Sequence, residues 1–96
     1  MTIDSGTHVK LGPDVVCREV GDSFALLDTA SGVYYSVDGA ADTCMRMMGE
    51  GATIADVAAA VAAEYQVEES EALADIIELA QALRQEGLVE TSAPGS

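Results

Sequence analysis

Basic residues are scarce. Four Lys and Arg stand against seventeen Asp and Glu in a chain of 96 residues, a formal net charge of −13. Nucleic-acid affinity comes largely from cations set on phosphates, so a surface this negative starts at a disadvantage there. Anionic membranes are disfavoured for the same reason, whereas a basic or neutral partner is attracted. Histidine is limited to His8, in a stretch with no fixed frame and no orienting partner, which makes it a poor general base. Cys17 and Cys44 are the only cysteines. They lack CxxC spacing and a histidine cluster, so a zinc site lacks ligands. No Gly-rich phosphate loop of either common type is present, and Gly49-Glu50-Gly51 reads simply as a helix breaker.

Long apolar runs are missing too. No segment reaches the roughly 20 apolar residues that span a bilayer, and Met1 to Pro13 has no signal-peptide core. The expectation is a cytoplasmic protein whose reduced cysteines serve as small buried hydrophobes. Neither catalytic residues nor a cofactor or metal are expected, because an enzyme needs convergent polar groups in a pocket and no motif here supplies them.

Apolar residues make up 49% of the chain, which argues against general disorder. The length suits one domain with one core. Residues 1–12 read as a flexible N-terminal arm, 13–90 as the folded domain and 91–96 as a disordered tail.

Within 13–90 the first third is β-rich. Val15–Val20, Ser23–Asp28 and Val33–Val37 are separated by the turns Gly21-Asp22 and Thr29-Ala30-Ser31-Gly32, the signature of an antiparallel meander. Helices follow. Asp38 can cap one starting at Gly39 and ending near Gly49 and Gly51, with Ala41, Cys44, Met45 and Met48 at helical spacing. Met45, Met47 and Met48 read as core filler rather than an adaptable surface. Thr53 caps a second helix whose apolar face is Ile54, Val57, Ala58, Val61 and Tyr65, with Asp56 in its first turn. A third starts near Ser70 behind Glu68 and Glu69 and ends at Glu86-Gly87, after which Leu88-Val89 pack back. Three strands followed by three helices predict an α+β fold: a three-stranded antiparallel sheet beside a winged helix-turn-helix-like unit.

The third helix carries the functional hint. On a wheel of about 100° per residue, Leu73, Ala80, Ile77 and Ile76 suffice for a core stripe. Leu83, Ala72 and Leu79 widen it on one side, bordered by Asp75, while Gln81, Gln85 and Glu78 lie on the polar flank. One explanation is that Leu79 packs under the N-terminal arm or Leu88. The other is that Leu79 and Leu83 line a groove beside the last strand, Val33–Val37, whose free edge accepts a peptide as an added strand. Asp75 and Glu86 near such a groove would receive a basic side chain of the guest.

These residues resemble a known family. Leu27-Asp28 with Gly32-Val33-Tyr34-Tyr35-Ser36-Val37, then Gly49-Glu50-Gly51-Ala52-Thr53, Tyr65-Gln66-Val67, Asp75-Ile76-Ile77-Glu78-Leu79, Leu83 and Gly87-Leu88-Val89 follow, in order, the pattern of PqqD-like proteins over about residues 13–90. PqqD-like domains are recognition elements for ribosomally synthesised and modified peptides. The resemblance implies a leader peptide held in the cleft between the third strand and the third helix. Tyr34, Tyr35, Asp75, Leu79 and Leu83 would then belong to the cleft, and Leu26, Val33, Ser36, Val37, Ala72 and Ile76 complete the candidate peptide-binding set. The chain looks most like the standalone leader-binding protein of lasso-peptide biosynthesis. That implies a precursor leader, a transglutaminase-like leader peptidase and, more loosely, an ATP-dependent lactam synthetase as partners. Val37 stands where leucine is common in the family, so pocket shape is left open.

Alternatives are a PqqD-type chaperone serving a radical enzyme, and a winged-helix transcription regulator. The latter fits the helix order but offers only Arg84 against Asp75, Glu78 and Glu86 on the presumed recognition helix. An acyl-carrier-like protein lacks its attachment serine and is at odds with the β-rich start.

Overall fold

The computed structural model describes residues 3–38 and 42–92. Six strands, β1 (His8–Leu11), β2 (Val15–Val20), β3 (Ser23–Asp28), β4 (Tyr34–Asp38), β5 (Ala52–Thr53) and β6 (Val89–Ser92), accompany three helices, α1 (Asp42–Glu50), α2 (Ile54–Tyr65) and α3 (Glu69–Gln85). The fold is α+β, as the sequence predicts. The helix start expected at Gly39, with Ala41 on its apolar face, and residues 93–96 of the expected tail lie outside the described residues.

Strands β2, β3 and β4 form the antiparallel meander in that order. Its second turn is built by one carboxylate. Asp28 accepts the backbone N–H groups of Ala30 at 2.9 Å and Ser31 at 3.2 Å. Gly32 follows at φ +81, which a Cβ would strain. Register then fixes the faces. Leu26 opposes Tyr35 and Phe24 opposes Val37 on the core side, whereas Leu27 opposes Tyr34 on the outer side.

A second sheet departs from the sequence reading. Strand β1 lies between β5 and β6, antiparallel to both, so His8–Leu11 forms a central strand rather than part of a flexible arm. Its Val9 is buried, and Ile3 joins the same core. The preceding turn is closed by Asp4 and Thr7: the Thr7 hydroxyl accepts the Asp4 N–H at 3.0 Å, and the Asp4 carboxylate accepts the Gly6 N–H at 2.9 Å. The carbonyls of Thr7 and Ser5 then accept the N–H groups of Ile54 and Ala55 at 2.9 and 2.8 Å. The N-terminal segment thereby satisfies donors that the first turn of α2 would otherwise leave orphaned. At the other end of the chain, Thr91 and Ser92, read as tail, pair with Val9 and His8.

Helix boundaries follow their caps. The Thr53 hydroxyl accepts the Asp56 N–H, as expected. Gln66 closes α2 in the left-handed region at φ 55, with Val67 N–H bonded back to the Ala62 carbonyl. After α3, Leu88 N–H donates to Leu83 and Gly87 N–H to Arg84, with Gly87 at φ +76, the two-bond glycine cap that turns the chain into β6. Met45, Met48 and Cys44 of α1 are core residues. On α2, Ile54, Val57, Ala58 and Ala62 are buried, while Tyr65, expected on that face, is 56% exposed.

Candidate functional site

Strand β4 has one neighbour. It pairs with β3, and among the described residues no strand pairs with its other side. The Asp28 N–H to Val33 carbonyl bond sets the alternation. Residues 33, 35 and 37 turn their backbone groups to β3, and Tyr34 and Ser36 turn theirs to the free edge. Side chains alternate as well: Tyr34 and Ser36 are exposed, Tyr35 is half-buried, and Val37 is buried.

Helix α3 packs against α2 and β6. Its core stripe is Ala72, Ile76, Ala80 and Leu83. The stripe is therefore centred on Ala72 and Leu83, and Leu73 and Ile77, expected at its middle, are only half-buried. Roughly 100° further around the helix lie Asp75, Glu78, Leu79 and Ala82. With Tyr35 of β4 they line an open cleft of about 250 Å³. The spacing i, i+3, i+4, i+7 puts these four side chains on one helical face.

The structure thus divides the candidate residues. Tyr35, Asp75 and Leu79 meet in the cleft. Tyr34 and Ser36 present the free edge, and half-buried Val33 precedes it. Leu26, Val37, Ala72, Ile76 and Leu83 are core residues, with exposures of 6% or less, and form the floor that holds strand and helix in place. Glu78 and Ala82 complete the lining. The wheel assigned Glu78 to the polar flank because it ranked residues by apolarity, whereas the cleft face is mixed.

Two carboxylates, Asp75 and Glu78, therefore border an aromatic and aliphatic floor. Both are exposed, so each remains hydrated until a guest covers it. The cysteines lie elsewhere. Burial pushes the Cys44 thiol up to about 11. Burial, and then the negative charge of Asp42, raises that of Cys17. Both are free thiols kept protonated at neutral pH, which removes the thiolate that nucleophilic chemistry requires. Among the described residues, no helix is long and apolar enough to cross a membrane.

No curated protein matches the chain. Two solved structures resemble it over most of its length. One is described as "TbiB1 in Complex with the TbiA(beta) Leader Peptide"; it is 26% identical, covers 84% of this chain and 94% of its own, and superposes with a TM-score of 0.73. The other, "Lasso peptide synthetase B1 complexed with the leader peptide", is 29% identical, covers 85% and 96%, and gives a TM-score of 0.64. The family model for coenzyme PQQ synthesis protein D (PqqD) matches residues 24–89, from β3 through the cleft helix to the start of β6, and the chain belongs to that family.

Proposed function

We propose that this chain binds the leader peptide of a ribosomal precursor, of the lasso-peptide class, by strand addition to β4. The observation that carries the reading is an unpaired strand edge standing beside a lined cleft on α3. The two leader-bound lasso structures similar to this chain support it. The leader's main chain bonds to the outward groups of Tyr34 and Ser36 and gives affinity. Its alternate side chains enter the cleft against Tyr35, Leu79 and Ala82 and give selectivity. A basic guest side chain fits best at Asp75 and Glu78, with its aliphatic stem on the tyrosine ring.

The chain itself makes and breaks no bond. It acts in the cytoplasm by holding the precursor for a transglutaminase-like leader peptidase and an ATP-dependent lactam synthetase. Tethering makes the second encounter effectively intramolecular, with a local concentration that reaches the millimolar range for short flexible linkers. The whole-length similarity to lasso proteins favours this pathway over a PqqD chaperone working with a radical enzyme.

Leu79→Asp tests the site. Leu79 is half-buried, so the variant should keep its circular dichroism spectrum and lose binding of a fluorescent precursor leader in an anisotropy titration. Unchanged affinity overturns the cleft assignment. Leu83→Asp is the contrast, because Leu83 is fully buried and an unpaired charge there unfolds the domain.

A further inference from the structure

The outer face of the β2–β3–β4 sheet has a composition unlike the rest of the molecule. Register places Val16, Leu27 and Tyr34 in one row across the three strands. They are 43%, 40% and 64% exposed, and Val20 on the same face is 63% exposed. The row between Val16 and Val20 carries Arg18, Ala25 and Ser36. Only the last register position, Asp38 opposite Ser23, is acidic on this side, in a chain of net charge −13. Exposed Arg18, one of four cations in the chain, has no ion pair among the described residues.

The apolar row ends at the free edge of β4. A strand added there continues each row by one side chain, because alternate residues of an added strand point to the same face. The loaded protein therefore presents a wider apolar surface than the empty one, made jointly by this chain and its guest.

Resting on the leader-binding reading above, we propose that this outer face docks a partner protein carrying an apolar strip with a carboxylate set against Arg18. The partner contacts the added leader strand in the same interface. Charge selects this occupant. Two copies meeting face to face about a two-fold axis would oppose Arg18 to Arg18 and bring two strongly acidic bodies together, and an anionic membrane is repelled by the same net charge. Size makes the docking conditional. Four exposed apolar side chains offer a few hundred Å² at most, whereas a stable interface takes about 800 Å² from each partner. The guest strand supplies part of the remainder, so partner and leader strengthen each other's binding by the same factor.

The test uses the full chain, a synthetic precursor leader and the transglutaminase-like peptidase as probe, with Arg18→Glu and Leu27→Ser as variants. Both residues are exposed and outside the cleft, so leader affinity by anisotropy should stay within twofold of the parent. Peptidase affinity, by biolayer interferometry, should be at least tenfold higher for the leader-loaded than for the empty chain, and should fall at least tenfold in each variant. Peptidase binding that is absent from the loaded parent chain, equal with and without leader, or unchanged in both variants overturns the proposal. A self-dimer in sedimentation velocity that the same variants dissociate assigns the face to a second copy and overturns it too. If the parent chain binds no leader at all, the underlying reading fails first, and the anisotropy arm shows this separately.

Discussion

Leu26 and Tyr35 face each other across β3 and β4 on the core side of the sheet, yet Leu26 is fully buried while Tyr35 stands half-open in the cleft wall. One cross-strand pair thus joins the core to the candidate site. Truncation separates the two roles. Leu26→Ala removes a sealed side chain and should cost about 2–5 kcal/mol of stability in chemical denaturation. Tyr35→Ala should cost less stability and lower leader affinity at least tenfold. If Tyr35→Ala binds leader as the parent does, the ring is only core cover.

Asp75 and Glu78 make the cleft rim negative, and both are exposed. A leader with a basic residue in the bound segment should lose affinity as ionic strength rises, since exposed charges are screened within about 8 Å at 0.15 M salt. The double variant Asp75→Asn with Glu78→Gln should bind that leader three- to tenfold more weakly at low salt. It should also show a flatter salt dependence in the same anisotropy titration. Identical salt slopes in parent and variant would place the basic contact elsewhere.

Cys44 links the core to alkaline pH. Its thiol is raised from an ordinary 9.0 to about 11 by burial. The folded state therefore holds a proton that the unfolded chain releases above pH 9. Stability from the neutral thiol is fully present below pH 9 and is lost as pH rises toward 11. Denaturation midpoints should fall over that window, and Cys44→Ala should flatten the fall at some cost in packing. Native Cys44 should also resist iodoacetamide at pH 8, because the thiolate is the reacting form.

Local signals carried most of the sheet and helices. The Asp28 and Gly32 turn, the Thr53 cap and the Gly87 stop each rest on bonds within a few residues, and the sequence places all three. What it hid depends on distant partners. The strand around Val9 has only four residues and draws its identity from β5 and β6, which lie some 40 and 80 positions away in the chain. Thr7, the one buried polar residue described, is satisfied by Asp4 but looks like ordinary loop chemistry when read alone. In the site, the free edge of β4 and the pairing of Tyr35 with Leu79 were legible from alternation and helical spacing. The boundary between floor and lining was not. Ala72 and Leu83 are sealed because α2 and β6 cover their side of α3, and the wheel of one helix does not reveal where its neighbours sit.

The N-terminal strand supplies the strictest test of that division. Deleting residues 1–12 removes β1 from between β5 and β6, empties the places of Val9 and Ile3 in the core, and takes away the Thr7 and Ser5 carbonyls that bond to the start of α2. Burial of the two aliphatic side chains alone is worth about 3–6 kcal/mol, against a total stability of about 5–15 kcal/mol for a typical domain. The cleft residues Tyr35, Asp75, Glu78 and Leu79 all lie outside the deleted segment, so a dispensable arm would leave both fold and leader binding intact. We expect the opposite: loss of a cooperative thermal transition, and leader binding lost with it. Val9→Asp, which places a charge at the centre of the same sheet, should reproduce the loss in the full-length chain. A truncated protein that melts cooperatively within a few degrees of the parent would show that α2, α3 and the meander hold together without the strand that joins the two ends of the chain.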